Sequence, residues 1–262
     1  MTSPAPTAAR GDGRTVLAVT GQDRERFLQG LVTNDVGKLA DGPVYAALLT
    51  PQGKYLADFI LLADGERILL DVATSLADTL VQRLEMYRLR ADVAIRPTDL
   101  GVLRGTGTPP EGAVADPRHP ALGWRLYTDA PASAGSAEAV DWDAIRVEHA
   151  IPETGIELQP GVSYILEMGF ERLNGVDFRK GCYVGQEVTA RMKHKTELRK
   201  GLARVEIDGR VPVATPIYFG GRVVGQVFTQ SGNRAIAYLR YDLAGPTMQA
   251  EDAVLRWDGN RP

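Results

Sequence analysis

From residue 178 to residue 187 the chain reads FRKGCYVGQE, the densest concentration of side chains able to do chemistry, and its Cys182 is the single cysteine among 262 residues. Gly181 and Gly185 bracket Cys182 and Tyr183, so the backbone there can turn sharply and present a thiol rather than pack it. A thiol becomes a better nucleophile or metal ligand when neighbouring cations favour the thiolate. Lys180 and Arg191 are the cations at hand. The alternative is that Cys182 is a small buried hydrophobe, the common fate of a free cysteine. Spacing alone leaves both open.

Asp58 is the second position of interest. In KYLADFILL it interrupts a run that is apolar on both faces, where a carboxylate is costly unless it is paired or put to use. It either pairs with an arginine or lines a polar cavity. Other chemistries find no support. His119, His149 and His194 have no partner at zinc-ligand spacing, so no metal site is expected. Gly53-Lys54 lacks the rest of a phosphate-binding loop, and Gly105, Gly107 and Gly112 do not follow dinucleotide-binding spacing.

These residues need elements to hold them. Strand-like alternation over residues 15–20 leads into a short helix with Phe27, Leu28 and Leu31 near helical spacing, which Thr33, Asn34 and Asp35 end. Two apolar runs, VYAALLT and KYLADFILL, flank Pro51, Gln52 and Gly53 as a hairpin would, and a turn at 63–66 opens the strand RILLDV. Leu76, Leu80, Leu84 and Tyr87 predict a helix over 75–89, with Ser75 and Asp78 as a capping box. Short strands follow near 92–96, 100–104 and 124–128. Residues 129–139 are Ala/Ser/Pro/Gly-rich and read as a linker, and 141–150 as another helix. Residues 151–163 carry two prolines and two glycines and predict an ordered loop, and the chain after Arg199 reads as strand and turn in a small closed β unit.

Composition sets the frame. With 44% hydrophobic and 24% charged residues the chain is globular, and one thiol cannot form an internal disulfide, which points to a reducing compartment. The first residues carry no apolar run of the signal-peptide kind, and no stretch approaches the roughly 20 apolar residues of a membrane-spanning helix. The formal charge is −3, yet Arg179, Lys180, Arg191, Lys193, Lys195, Arg199 and Lys200 crowd into a short stretch against Glu187 and Glu197. Such a local field suits an anionic small ligand or an acidic partner better than direct nucleic-acid binding, with a merely solubilising strand edge as the bland alternative.

Taken together, KGCYVGQE at 180–187, GQDRERFLQGLVTNDV at 21–36 and LLTPQGKYLADFIL at 48–61 resemble the YgfZ-type branch of the aminomethyltransferase (glycine cleavage T-protein) superfamily, to which mitochondrial iron-sulfur assembly factors also belong. The resemblance covers residues 15–243, and its signature is Lys180, Gly181, Cys182, Tyr183, Gly185, Gln186 and Glu187. It implies an α+β fold, a three-part aminomethyltransferase-like ring with ferredoxin-like domains and a C-terminal β-barrel. The parts would be a disordered tail over 1–13, a discontinuous first domain of 14–45 plus 138–196, a ferredoxin-like second domain of 46–137 and a barrel of 197–262. It implies a tetrahydrofolate cavity with Asp58 against the reactive nitrogen, Glu167 of YILEMGF clasping the pterin, Tyr183 and Arg191 assisting, and Cys182 at the rim with Asp58 as its catalytic companion. A carboxylate facing two adjacent N–H donors of a pterin is sound chemistry.

Family members act in maturation or repair of iron-sulfur proteins, including a tRNA-thiolating enzyme, so the expected partners are iron-sulfur assembly proteins or cluster enzymes. The Cys-containing signature argues against glycine cleavage, although a folate-dependent one-carbon transferase and a non-catalytic scaffold remain the competing readings. The resemblance also implies a monomer without membrane attachment, placed in the bacterial cytoplasm or, in a eukaryote, the mitochondrial matrix, though no transit peptide is evident.

Overall fold

In the computed structural model, which describes residues 7–10, 13–129, 140–194 and 197–262, the chain divides into two units, Met1–Val140 with Glu171–Gln186, and Asp141–Phe170 with Glu187–Pro262. The first unit opens with β1 (Thr7–Arg10), β2 (Arg14–Thr20) and helix α1 (Arg24–Gln29), followed by a 3-10 turn over Val36–Ala40. The hairpin β3 (Val44–Leu49) and β4 (Tyr55–Asp64) leads to β5 (Arg67–Ala73) and helix α2 (Thr74–Arg88). Four short strands finish it: β6 (Ala94–Pro97), β7 (Gly101–Thr106), β8 (Val114–Ala115) and β9 (Trp124–Thr128).

Two antiparallel sheets result, in the orders β3-β4-β5-β2-β6 and β1-β7-β9-β8. Alternation decides what each face of the larger sheet meets. Leu17, Val19, Ala57, Phe59, Leu61, Leu70 and Val72 point to the side covered by α1 and α2 and pack with Leu28, Leu80 and Leu84. Val16, Ala18 and Leu69 point the other way, onto Val102 and the half-buried Leu100 and Tyr127. A buried charge chain crosses the same side: Arg125 of β9 donates to Asp71 of β5 at 2.7 Å and to Asp116 at 2.8 Å, Arg14 also reaches Asp71, and Arg118 binds Asp116 through two nitrogens.

The second unit holds helices α3 (Trp142–Glu148) and α4 (Gln186–His194), the latter starting on the last residue of the first unit, and strands β10 (Lys200–Asp208), β11 (Pro216–Phe219), β12 (Arg222–Ser231), β13 (Arg234–Arg240), β14 (Thr247–Ala250) and β15 (Ala253–Arg256). These six strands close into a barrel, which leaves no exposed sheet edge. Its interior takes alternate residues such as Ala203, Val205 and Ile207. Beside it, Arg146 of α3 is buried and bound to Glu157, whose other oxygen accepts from the Thr229 hydroxyl at 2.6 Å.

Several expectations change. The capping box at Ser75 and Asp78 does not form: α2 starts directly from β5, its N-cap is Ala73 with no side-chain cap, and the Thr74 amide donates to the Gly13 carbonyl instead. The expected border at 45/46 falls inside β3, and β2 pairs with β5, so segments assigned to separate domains share one sheet because their apolar runs satisfy each other's backbone. Within the expected tail, residues 7–10 form β1 against β7, while 1–6, 11 and 12 lie outside the described residues. The linker at 130–139 and Lys195 of the basic stretch also lie outside them. The bland alternative for the basic stretch was a solvated strand edge. The stretch folds in its first part as α4, whose polar composition hid its helical period. No helix among the described residues is long and apolar enough to cross a membrane.

Candidate functional site

Asp58 sits on β4 opposite Ala47 of β3, on the face turned away from α1 and α2, and it is buried. The register of the hairpin slips between Leu48 and Leu49, leaving Leu56 unpaired, and such a bulge re-aims the side chains beside it. As a result Tyr55 falls on the same face as Asp58. The Tyr55 hydroxyl donates to Asp58 Oδ1 at 2.7 Å, and the Tyr45 hydroxyl donates to Oδ2 at 3.0 Å. Burial, and then the Asp58 charge, push the Tyr45 hydroxyl well above its ordinary value, so it stays a proton donor at every physiological pH. The Arg118 guanidinium lies 5.8 Å from the Tyr45 ring and pulls in the opposite direction. The buried carboxylate is thus held by phenols, which give each of its oxygens a donor.

The loop bearing Cys182 is anchored at one end on the segment after α1 and at the other on the turn of the same hairpin. Lys180 is buried and its Nζ donates to the carbonyls of Gln29, the last residue of α1, at 2.8 Å and of Val32 at 2.5 Å and Asn34 at 3.0 Å in the segment that follows it. Thr33 and Asn34 extend the joint: the Thr33 hydroxyl donates to Gly175 O and accepts from the Ala47 amide, and the Asn34 amide donates to Tyr45 O and Asn174 O. At the other end Gly185 has φ +82°, and a Cβ there would stand 2.5 Å from Thr50 O in the β3–β4 turn. Between these two anchors Cys182 is exposed. That excludes the packed alternative for the thiol.

Two details differ from expectation. Lys180 was read as a cation acting on the thiol, but its three protons are committed to carbonyls and it positions the loop. Gly181 has no neighbour within 4 Å of a built Cβ and no positive φ, so only Gly185 of the bracketing pair needs to be glycine. Burial draws the Lys180 ammonium down to about 8, against Asp35 and Asp177, which push it up. The unfolded chain therefore binds the extra proton between about 8 and the ordinary 10.5, and this group's contribution to stability rises across that window. Lys180→Met should remove that rise and lower stability at neutral pH by about 1–3 kcal/mol, because buried carbonyls lose their donor. Urea unfolding at several pH values checks both.

Tyr183 is buried with its ring 5.2 Å from Lys180 Nζ, and it helps seat the loop. Glu167 belongs to the second unit, as does Arg191, which is exposed on α4. Glu167 is buried: Oε2 accepts from the Tyr238 hydroxyl at 2.7 Å, and Oε1 lies 3.6 Å from Lys200 Nζ. Burial, then the hydrogen bond to Glu167, raise the Tyr238 hydroxyl far above its ordinary value. A carboxylate offers about four lone-pair positions, so Glu167 retains room for two further N–H donors. Gln186 and Glu187 open α4, Glu187 exposed. Among the described residues no group of three or more His, Cys, Asp or Glu could hold a metal ion.

The structure therefore brings Asp58 and one end of the Cys182 loop onto one hairpin and gives Glu167 a tyrosine and a lysine in the other unit. Sequence reading missed Tyr45 and Tyr55, whose only signal was a tyrosine on a strand near a buried acid, Tyr238, whose acid lies 71 positions away, and the Thr33-Asn34 joint, two of whose partners lie about 140 positions away.

Residues 199–259 match the C-terminal β-barrel domain of CAF17. The glycine cleavage system aminomethyltransferase T of Bartonella henselae superposes with a TM-score of 0.73, covering 97% of this chain and 85% of that one at 14% identity, so the fold is that of the aminomethyltransferase T-proteins. Human mitochondrial iron-sulfur cluster assembly factor IBA57 is 35% identical over 271 residues, 88% of this chain and 76% of its own length. The mouse protein of that name is 32% identical over 285 residues, 92% and 79% of the two chains. The chain belongs to the family of the iron-sulfur cluster assembly factor IBA57.

Proposed function

We propose that this protein assists the assembly or repair of iron-sulfur proteins, binds tetrahydrofolate, and works through Cys182. The observation that carries the reading is the sole cysteine held exposed on a loop tied down at both ends, by Lys180 and by Gly185. A free thiol left in the open and fixed in place is useful to a partner and useless to a core. One thiolate cannot hold a cluster alone, and the described residues supply no further ligand set, so Cys182 meets a cluster as cargo, together with ligands from the protein that delivers or receives it.

Asp58 and Glu167 are the carboxylates assigned to the folate. Both are buried acceptors with phenolic donors, chemistry that fits a flat ring system rich in N–H groups. Asp58 orients a nitrogen-bound proton, Glu167 accepts from adjacent ring donors, and the tyrosines hold both carboxylates still. The cofactor would supply one-carbon or reducing chemistry.

Titration with tetrahydrofolate, comparing wild type with Asp58→Asn and Glu167→Gln, tests the folate assignment. Each variant is expected to weaken binding by roughly tenfold or more, the size of losing one charge-assisted hydrogen-bonded contact. Wild-type affinity in both would remove the two carboxylates from the site, and no binding by the wild type would remove folate from the reading. Separately, Cys182→Ala should fold normally yet fail to restore cluster-enzyme activity in cells lacking the protein. Full restoration would remove the thiol.

A further inference from the structure

The C-terminal end of α2 presents apolar side chains that a water-facing helix end does not need. Met86 is 66% exposed, Tyr87 37% and Leu89 88%. Arg83, Met86 and Tyr87 lie three and four positions apart on α2 and so form one stripe, and Arg90 follows just past the helix end. Leu89 ends the helix with φ 46° and ψ −104°, a conformation that normally selects glycine. A branched residue held there is strained, and strain of this kind persists where it has a use.

Beside the stripe is a cavity of 350 Å³ lined by Asp23, Arg26, Phe27, Arg90 and Ala91. Its one acid is already engaged, since Asp23 Oδ2 accepts from the Asp92 amide at 2.9 Å. Arg88 is likewise tied to Glu85. The guanidinium groups of Arg26, Arg83 and Arg90, by contrast, make no ion pair or hydrogen bond among the described residues. The surface therefore combines an apolar stripe, guanidinium groups that outnumber the one carboxylate of the hollow, and Phe27 on its wall. A glutamate side chain suits that hollow: its methylenes can lie on Phe27 while its carboxylate meets Arg26 and Arg90, in the paired geometry guanidinium groups favour. A flat lipid surface would leave the hollow unfilled.

We propose that this face, formed by the end of α2 and by Arg26 and Phe27 of α1, docks an acidic amphipathic segment of a partner protein, with a leucine-type side chain on Met86 and Leu89 and a glutamate between Arg26 and Arg90. Exposed methionine provides an adaptable contact, and the charge pattern sets partner choice.

The probe is a fluorescent, end-blocked helical peptide of glutamate and leucine, titrated with the full chain. Binding is expected to weaken as salt rises from about 0.1 M to about 1 M, where the Debye length falls from about 10 Å to about 3 Å. The double variant Arg26→Glu/Arg90→Glu should weaken it roughly tenfold or more. Leu89→Gly separates docking from folding, because it should raise the thermal midpoint by relieving the backbone while weakening the peptide roughly fivefold. A peptide that does not bind, or binds both variants as tightly as wild type, overturns the proposal. So does tighter capture of the wild type by phosphatidylserine vesicles than by the peptide, which would make the face a membrane contact.

Discussion

Replacing Arg125 by methionine should destabilise the first unit by about 3–5 kcal/mol, a large share of the roughly 5–15 kcal/mol that holds an ordinary domain together. The side chain is 1% exposed and bridges two carboxylates that are themselves buried, Asp71 on one sheet and Asp116 beside the other. Methionine fills most of the volume but leaves both acids short of a countercharge. Arg67→Met is the control. Its partner Asp64 and Arg67 itself are about 42–43% exposed, and such a pair contributes less than about 1 kcal/mol.

The variant should also change the response to acid. Burial pushes Asp71 and Asp116 up, but arginines pull harder: Arg14 and Arg125 on Asp71, Arg118 and Arg125 on Asp116. Both carboxyls end below their ordinary 3.8. A group depressed in the folded state contributes stability that is complete above about pH 4 and lost as the pH falls toward the folded value. Removing Arg125 weakens the depression, so the acid-unfolding midpoint should move to higher pH. Circular dichroism against pH measures it. An unchanged midpoint together with a small loss in urea would mean that the network contributes nothing the neighbouring apolar contacts do not.

The elements that place the site were legible because their signal is local. The two apolar runs either side of Pro51-Gln52-Gly53 announce β3 and β4, and leucines four apart announce α2, since buried faces impose period 2 and period 3.6 directly on the residues. What stayed hidden depends on atoms far apart in sequence. Nothing in KGCYVGQE shows that Lys180 will cap carbonyls about 150 positions earlier, or that one of its two glycines faces open space and the other a carbonyl. Asp58 was legible as unusual but not as phenol-bound, because a one-residue bulge decides which face Tyr55 takes. The chemistry of a loop is written locally, whereas its anchoring belongs to the fold.

That anchoring makes Gly185→Ala the most damaging small change available near the thiol. Two costs coincide there. At φ +82° an alanine pays for a left-handed conformation, about 1–2 kcal/mol. Its Cβ also meets Thr50 O at 2.5 Å, Leu49 Cβ at 3.0 Å and Gly53 Cα at 3.1 Å, atoms of a tight turn that cannot swing aside as a flexible side chain would, and overpacking of this kind adds about 1–3 kcal/mol. The sum, roughly 2–5 kcal/mol, is best relieved by lifting the loop off the hairpin, so Cys182 should shift from its place while the barrel unit keeps its own stability. Gly181→Ala is expected to change stability by less than about 1 kcal/mol, as at an ordinary surface position. Thermal unfolding of the two variants, alongside the rate at which iodoacetamide alkylates Cys182, distinguishes the sites: the first should unfold earlier and react at an altered rate, and the second should match wild type in both. If the alanines behave alike, the loop is not seated on the β3–β4 turn, and the thiol owes its exposure to something other than the clamp formed by Lys180 and Gly185.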